Sequence, residues 1–101
     1  MAKGYWIGRV DVHNPEGYQA YVAANAAPLA KFGARFLVRG GEFKPVEGEA
    51  RARNVVIEFP SYQAALECWD SPEYQAAKAK RDGHAVAEIL VIQGYDGPQP
   101  A

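Results

Sequence analysis

Asp11, Arg39 and Glu58 fall in stretches whose alternation reads as β-strand, on the same set of alternate positions of a sheet. A carboxylate so placed can take a proton from a substrate, and a guanidinium can hold the carboxylate or enolate of a ligand. Arg39 precedes Gly40-Gly41, a pair that would let backbone approach a ligand closely. The same residues also fit a structural role: an ion pair of Arg39 with Glu58 or Asp11 across the sheet, the glycines serving only to turn. His13 and His84 are the two histidines, each at a strand end beside a turn. Imidazole titrates near neutrality, so His84 joins Asp11 and Glu58 as a candidate acid or base, against the plain reading of a solvated ring. Tyr18, Tyr21, Tyr62, Trp69 and Tyr74 all fall in helical segments. They either line a cavity between helices and sheet or fill the core. Arg9, Arg39, Tyr18 and Trp69 are the candidate ligand contacts.

Several chemistries are disfavoured. Cys68 is the single cysteine, which excludes an intrachain disulfide and multi-cysteine zinc or iron–sulfur sites. No base or helix N-terminus is evident beside it to stabilise a thiolate. Ser61 and Ser71 read as helix caps without a nucleophile elbow, and Gly40-Gly41 leads into a hairpin, not the helix a phosphate loop needs. No metal-ligand spacing occurs, and neither a metal nor an organic cofactor is expected. With 11 basic and 12 acidic residues and a formal net charge of −1, no field would attract nucleic acid. The longest apolar stretch, 85–92, is broken by Glu88 and too short to cross a bilayer. Arg9 interrupts any signal-peptide run, so a cytoplasmic location is expected.

The elements that would position these groups follow in order. Residues 5–13 alternate as a strand; Asn14-Pro15-Glu16 then starts a helix that Gly33 ends, with Pro28 expected to kink or split it. Residues 34–39 form a second strand, 42–50 a long hairpin loop, and 53–59 a third strand closed by Pro60. Ser61 caps a short helix with inner face Tyr62, Ala65, Leu66 and Trp69, and Ser71-Pro72-Glu73 starts another. That segment ends in Lys78, Lys80 and Arg81, read as a solvated helix end, and Gly83 stops it. A fourth strand covers 85–93, and 94–101 is a Gly/Pro-rich, flexible tail. The order β-α-β-β-α-β describes one α+β domain over residues 1–101: a ferredoxin-like, four-stranded antiparallel sheet with its helices on one face.

Alternation divides the sheet residues into two sets. Trp6, Val10, Val12, Phe36, Val38, Val55, Ile57, Phe59, Ile89 and Val91 are expected against the helices. Tyr5, Ile7, Arg9, Asp11, Leu37, Arg39, Val56, Glu58, Glu88, Leu90 and Ile92 are expected on the uncovered face. That second set is too apolar for water and too charged for a dry core unless the charges pair. Two copies meeting sheet to sheet would satisfy both conditions, so a homodimer is expected.

The runs Phe36-Leu37-Val38-Arg39-Gly40-Gly41, Val46-Glu47-Gly48 and Val55-Val56-Ile57-Glu58-Phe59-Pro60-Ser61 resemble a small bacterial family catalogued as domain of unknown function 1330. Trp69-Asp70-Ser71-Pro72-Glu73-Tyr74-Gln75, followed by Arg81, is similar to its other signature, and the likeness extends from Tyr5 to about Gly94. The resemblance implies a dimeric α/β barrel, in a superfamily with cofactor-free monooxygenases, lactone isomerases, haem-binding enzymes and ligand-sensing modules. It carries an expected function of binding a small molecule, with monooxygenase- or isomerase-like chemistry on a hydrophobic oxygenated substrate. The alternative is a non-catalytic module for ligand sensing or assembly.

Overall fold

A computed structural model describes residues 2–100 of the chain; Met1 and Ala101, the outermost residues of the expected domain and tail, lie outside it. Seven elements follow in order: β1 (Gly4–Val12), α1 (Pro15–Lys31), β2 (Arg35–Arg39), β3 (Arg53–Phe59), α2 (Tyr62–Asp70), α3 (Pro72–Ala79) and β4 (Ala85–Gln93). The strands form one antiparallel sheet in the order β2-β3-β1-β4, the ferredoxin-like arrangement.

Each helix begins where the sequence supplies a cap. Asn14 Oδ1 accepts from the Gly17 N–H at 3.3 Å, Ser61 Oγ from Ala64 at 3.0 Å and Ser71 Oγ from Tyr74 at 3.2 Å. Gly33 (φ +74°) follows the end of α1 and Gly83 (φ +78°) the turn after α3, both in the left-handed region that glycine enters without steric cost. Pro28 does not split α1, which runs unbroken from Pro15 to Lys31. Lying three residues before the end, it removes only the hydrogen bond to Ala24, and its buried ring packs inside the molecule.

The two helical layers sit on the sheet differently. α2 lies close over β1, β3 and β4, whereas α1 packs on α3 and its backbone stands off from the strands. Close approach of α2 needs small residues. A β-carbon on Gly4 would meet the Ser61 carbonyl oxygen at 2.5 Å, and Ala65 and Cys68 are fully buried. The inner face of α2 therefore centres on Ala65 and Cys68; Tyr62, expected inside, is 38% exposed. Beneath α1, by contrast, the aromatic side chains of Tyr18 and Tyr21 fill the gap. The core is built on Trp6, whose ring meets Phe59, Trp69 and Tyr74 at centroid distances of 5.0, 5.5 and 4.8 Å. Its indole N–H donates to the Ala65 carbonyl at 2.9 Å, so the buried donor is satisfied.

One irregularity changes the reading of the faces. On β2, Phe36 pairs with Ile57 but Val38 pairs with Val56, so three residues of β2 oppose two of β3. This β-bulge inverts the alternation after Phe36. Val38, expected against the helices, lies on the uncovered face and is 43% exposed; Arg39, expected on the uncovered face, pairs with Val55 on the helix side.

Candidate functional site

The stand-off of α1 leaves a pocket between that helix and the sheet. Its inner part, about 40 Å³, is floored by Trp6, Gly8, Val10, Val55, Ile57 and Ile89, and walled by Tyr18, Tyr21, Val22, Asn25 and Phe36. Gly8 is the reason for the void: it sits between Trp6 and Val10 on the helix side of β1, where any other residue would project a side chain. An outer compartment of about 310 Å³ opens between Val12, Pro15 and Gln19. Tyr18, Val22, Arg39 and Arg53 line both parts and so form the throat.

Two arginines at the mouth of an apolar slot set its electrostatics. Arg53 starts β3 opposite Val10, and the bulge brings Arg39 opposite Val55, so both reach the helix side. The Arg39 guanidinium lies 4.0 Å from the centroid of the Phe36 ring, a cation–π contact. Arg53 lies against Gly40, with its buried Nε lacking a protein hydrogen-bond partner. Among the described residues neither arginine has a carboxylate partner. Burial raises the pKa of the Tyr18 phenol, partly offset by the nearby charges of Arg53 and Arg81, so it remains a neutral hydrogen-bonding group at pH 7. A site with paired cations at the rim and aromatic walls can hold a flat organic anion by its charged end.

The other candidates are distributed elsewhere. Asp11 lies on the uncovered face, bound by the Ala52 N–H at 2.9 Å and by Arg51 at 2.7 Å. Those two contacts, the backbone one first, hold its carboxyl below the usual range. Arg51 also takes Glu88, which it holds low in the same way. Glu58 faces Lys3 at 3.7 Å and Arg35 at 4.0 Å. Arg9 donates to the Glu49 carbonyl at 2.9 Å. His84 stands at the start of α1, its Nδ1 3.2 Å from the Asn14 side-chain nitrogen, and its ring packs over Gly17. Trp69 is half-buried against Trp6 and Tyr74. Of the residues singled out in the sequence, the structure brings Tyr18, Tyr21 and Arg39 together in one pocket and leaves Arg9, Asp11, Glu58, Tyr62, Trp69, Tyr74 and His84 outside it.

Behind the pocket, Tyr21 and Tyr74 share a hydroxyl–hydroxyl hydrogen bond of 2.7 Å. Arg81 is buried there, 8% exposed with its guanidinium 5.1 Å from the Tyr21 ring centroid, and is not the solvated helix end expected. The Tyr21 ring face and the Tyr21 and Tyr74 phenols serve as its partners, and no described carboxylate pairs with it. Cys68 is fully buried, and desolvation pushes its thiol up to about 12, leaving it unreactive near neutral pH. No cluster of three or more His, Cys, Asp or Glu that could hold a metal occurs among the described residues. Neither histidine lines the pocket, so a haem there would have no imidazole ligand.

Comparison with known proteins agrees with this architecture. A protein of unknown function from Rhodopseudomonas palustris superposes with a TM-score of 0.74 at 17% identity, over 95% of this chain and 85% of that one. SnoaB, a cofactor-independent oxygenase from Streptomyces nogalater, gives 0.63 at 15% identity, over 99% and 97%. A dimeric ferredoxin-like protein of unknown function from Thermobifida fusca gives 0.55 at 15% identity, over 90% and 92%. At these identities the likeness is one of fold. No curated protein matches the chain in sequence. Residues 3–95, nearly the whole chain, match the model of one family, and the protein accordingly belongs to the family described as Domain of unknown function (DUF1330).

Proposed function

We propose that this protein is a homodimeric small-molecule-binding protein whose ligand, a hydrophobic compound bearing a carboxylate, enters the pocket beneath α1 and is anchored by Arg39 and Arg53. The observation that carries this reading is a pair of arginines at the throat of an aromatic-lined slot with no carboxylate partner among the described residues. The dimer is supported by the uncovered sheet face, where Ile7, Val38, Val86, Leu90 and Ile92 are all at least 36% exposed, and by the dimeric description of the Thermobifida neighbour. A reducing, cytoplasmic setting suits the single buried thiol.

Isothermal titration with a panel of aromatic monocarboxylates tests the reading. Wild type is expected to bind at least one member, and Arg39→Ala to bind it about ten-fold more weakly, the loss of one charge-assisted contact. Equal affinity in the two proteins would refute the anchor.

The relation to SnoaB favours a second reading, in which the bound compound is oxygenated without a cofactor. Arg39 and Arg53 would then stabilise a developing oxyanion. Among the described residues, no carboxylate or imidazole lines the pocket of a single subunit to take the proton. Binding is therefore the reading the geometry favours. Oxygen uptake with a bound ligand, lost in Arg39→Ala, would support the oxygenase instead.

A further inference from the structure

Two buried side-chain atoms lack a protein hydrogen-bond partner among the described residues: Nε of Arg53 and Oδ1 of Asn25. Both residues line the same inner pocket. Buried polar groups are nearly always satisfied, and leaving one unmet carries a substantial desolvation penalty. Their coincidence at one void of a small domain is therefore informative. Arg53 offers a donor and a positive charge. Asn25, 7% exposed on the inner face of α1, offers an acceptor.

The two ends of the slot are chemically different. Arg53 belongs to the throat and reaches the outer compartment, whereas Asn25 lines only the inner one. A ligand entering acid-last thus presents its other end to Asn25. The inner volume of about 40 Å³ holds roughly three water-sized positions, so what enters is a short chain or the leading part of one ring. Trp6, Tyr18, Tyr21 and Phe36 around it favour a flat group.

Building on the pocket assignment above, we propose that the ligand is a flat, single-ring carboxylic acid that carries a hydrogen-bond donor at the end opposite the acid. The carboxylate meets Arg39 and Arg53 at the throat, and the donor, a hydroxyl or N–H, is accepted by Asn25 Oδ1. The pocket thereby selects hydroxylated or amino-bearing acids over their methyl counterparts, because only a donor satisfies the amide oxygen that burial has stripped of water. Sites built to hydrogen-bond a ligand hydroxyl discriminate against the analogue lacking it far more sharply than apolar pockets discriminate by size.

Titration calorimetry with 4-hydroxybenzoate and 4-methylbenzoate reads this selectivity, since hydroxyl and methyl are close in volume. Wild type is expected to bind the hydroxy acid at least ten-fold more tightly. Asn25→Leu, which replaces the amide by an apolar group of similar size, is expected to bring that ratio to about one while still binding the methyl acid. Equal affinity of the two acids for wild type, or a preference for the hydroxy acid that survives in Asn25→Leu, overturns the role of Asn25. The wild-type ratio decides alone if the variant fails to fold. Failure of the pocket itself looks different: neither acid then binds, or both bind with affinities that Arg39→Ala and Arg53→Gln leave unchanged.

Discussion

Arg53 packs so closely on Gly40 that a β-carbon on that glycine would stand 2.5 Å from Nη1. Gly40 also has φ +68°, in the left-handed region, so the turn out of β2 and the seat of the guanidinium depend on the same missing side chain. Gly40→Ala should destabilise the fold by about 1–2 kcal/mol from backbone strain. It should also displace Arg53 and weaken carboxylate binding. Denaturant unfolding and titration on the same variant read the two effects; unchanged affinity would show that Arg53 does not depend on this seat.

Gly8 separates pocket from fold. A β-carbon there would meet nothing nearer than Ile89 Cγ1 at 3.6 Å, an ordinary contact. Gly8→Ala should therefore stabilise the strand by about 0.5–1 kcal/mol, the usual cost of a strand glycine. Gly8→Leu should fill the void and abolish ligand binding while the protein stays folded, as judged by near-ultraviolet circular dichroism. Undiminished binding in Gly8→Leu would place the ligand elsewhere.

Arg51 ties Asp11 to Glu88 on the uncovered face. Both carboxyls are held below their ordinary values in the folded protein, Asp11 chiefly by the Ala52 N–H and then Arg51, Glu88 chiefly by Arg51. A depressed folded pKa contributes stability that is present above the unfolded carboxylate range, near pH 4, and is lost as pH falls through the folded value. Wild type should therefore exceed Arg51→Met in melting temperature at about pH 6, with the difference closing towards about pH 2.5. A difference independent of pH would mean that Arg51 acts by packing and not by charge.

Leu90 and Ile7 pair across β1 and β4 in the middle of the uncovered face, 51% and 36% exposed. Leu90→Glu would place a carboxylate at the centre of a sheet-to-sheet interface on both copies. Analytical ultracentrifugation should show wild type as a dimer and the variant as a monomer with unchanged secondary structure. A wild type that sediments as a single chain at micromolar concentration would remove the dimer from the account.

How far the sequence could be read depended on whether periodicity was local and regular. Asn14, Ser61 and Ser71 announced their helices because caps are chosen by side-chain chemistry within one turn. β1, β3 and β4 kept strict alternation, so Trp6, Ile57 and Ile89 lie on the helix side as expected. β2 did not. The bulge at Leu37 is set by pairing with β3, which alternation along β2 alone does not encode, and it moved Arg39 into the pocket. Arg53 and Asn25 did leave signals: a charge two residues ahead of Val55 on the helix-facing register of β3, and an amide on the buried stripe of α1. A polar residue on an apolar face is the informative exception to burial by residue type. Gly8 gave a weaker one, a gap in the apolar set between Trp6 and Val10. Arg51 is loop-borne, and its two carboxylate partners lie 40 and 37 residues away, beyond any local pattern.

The most direct measurement is an amide chemical-shift map of the isotopically labelled protein titrated with 4-hydroxybenzoate. Perturbations should gather on Gly8, Val22, Asn25, Arg39, Gly40 and Arg53, the residues that surround the pocket and its throat. Shifts confined to Arg9, Asp11, Glu88 and Leu90 on the uncovered face, or no saturable shifts at all, would contradict a ligand site beneath α1.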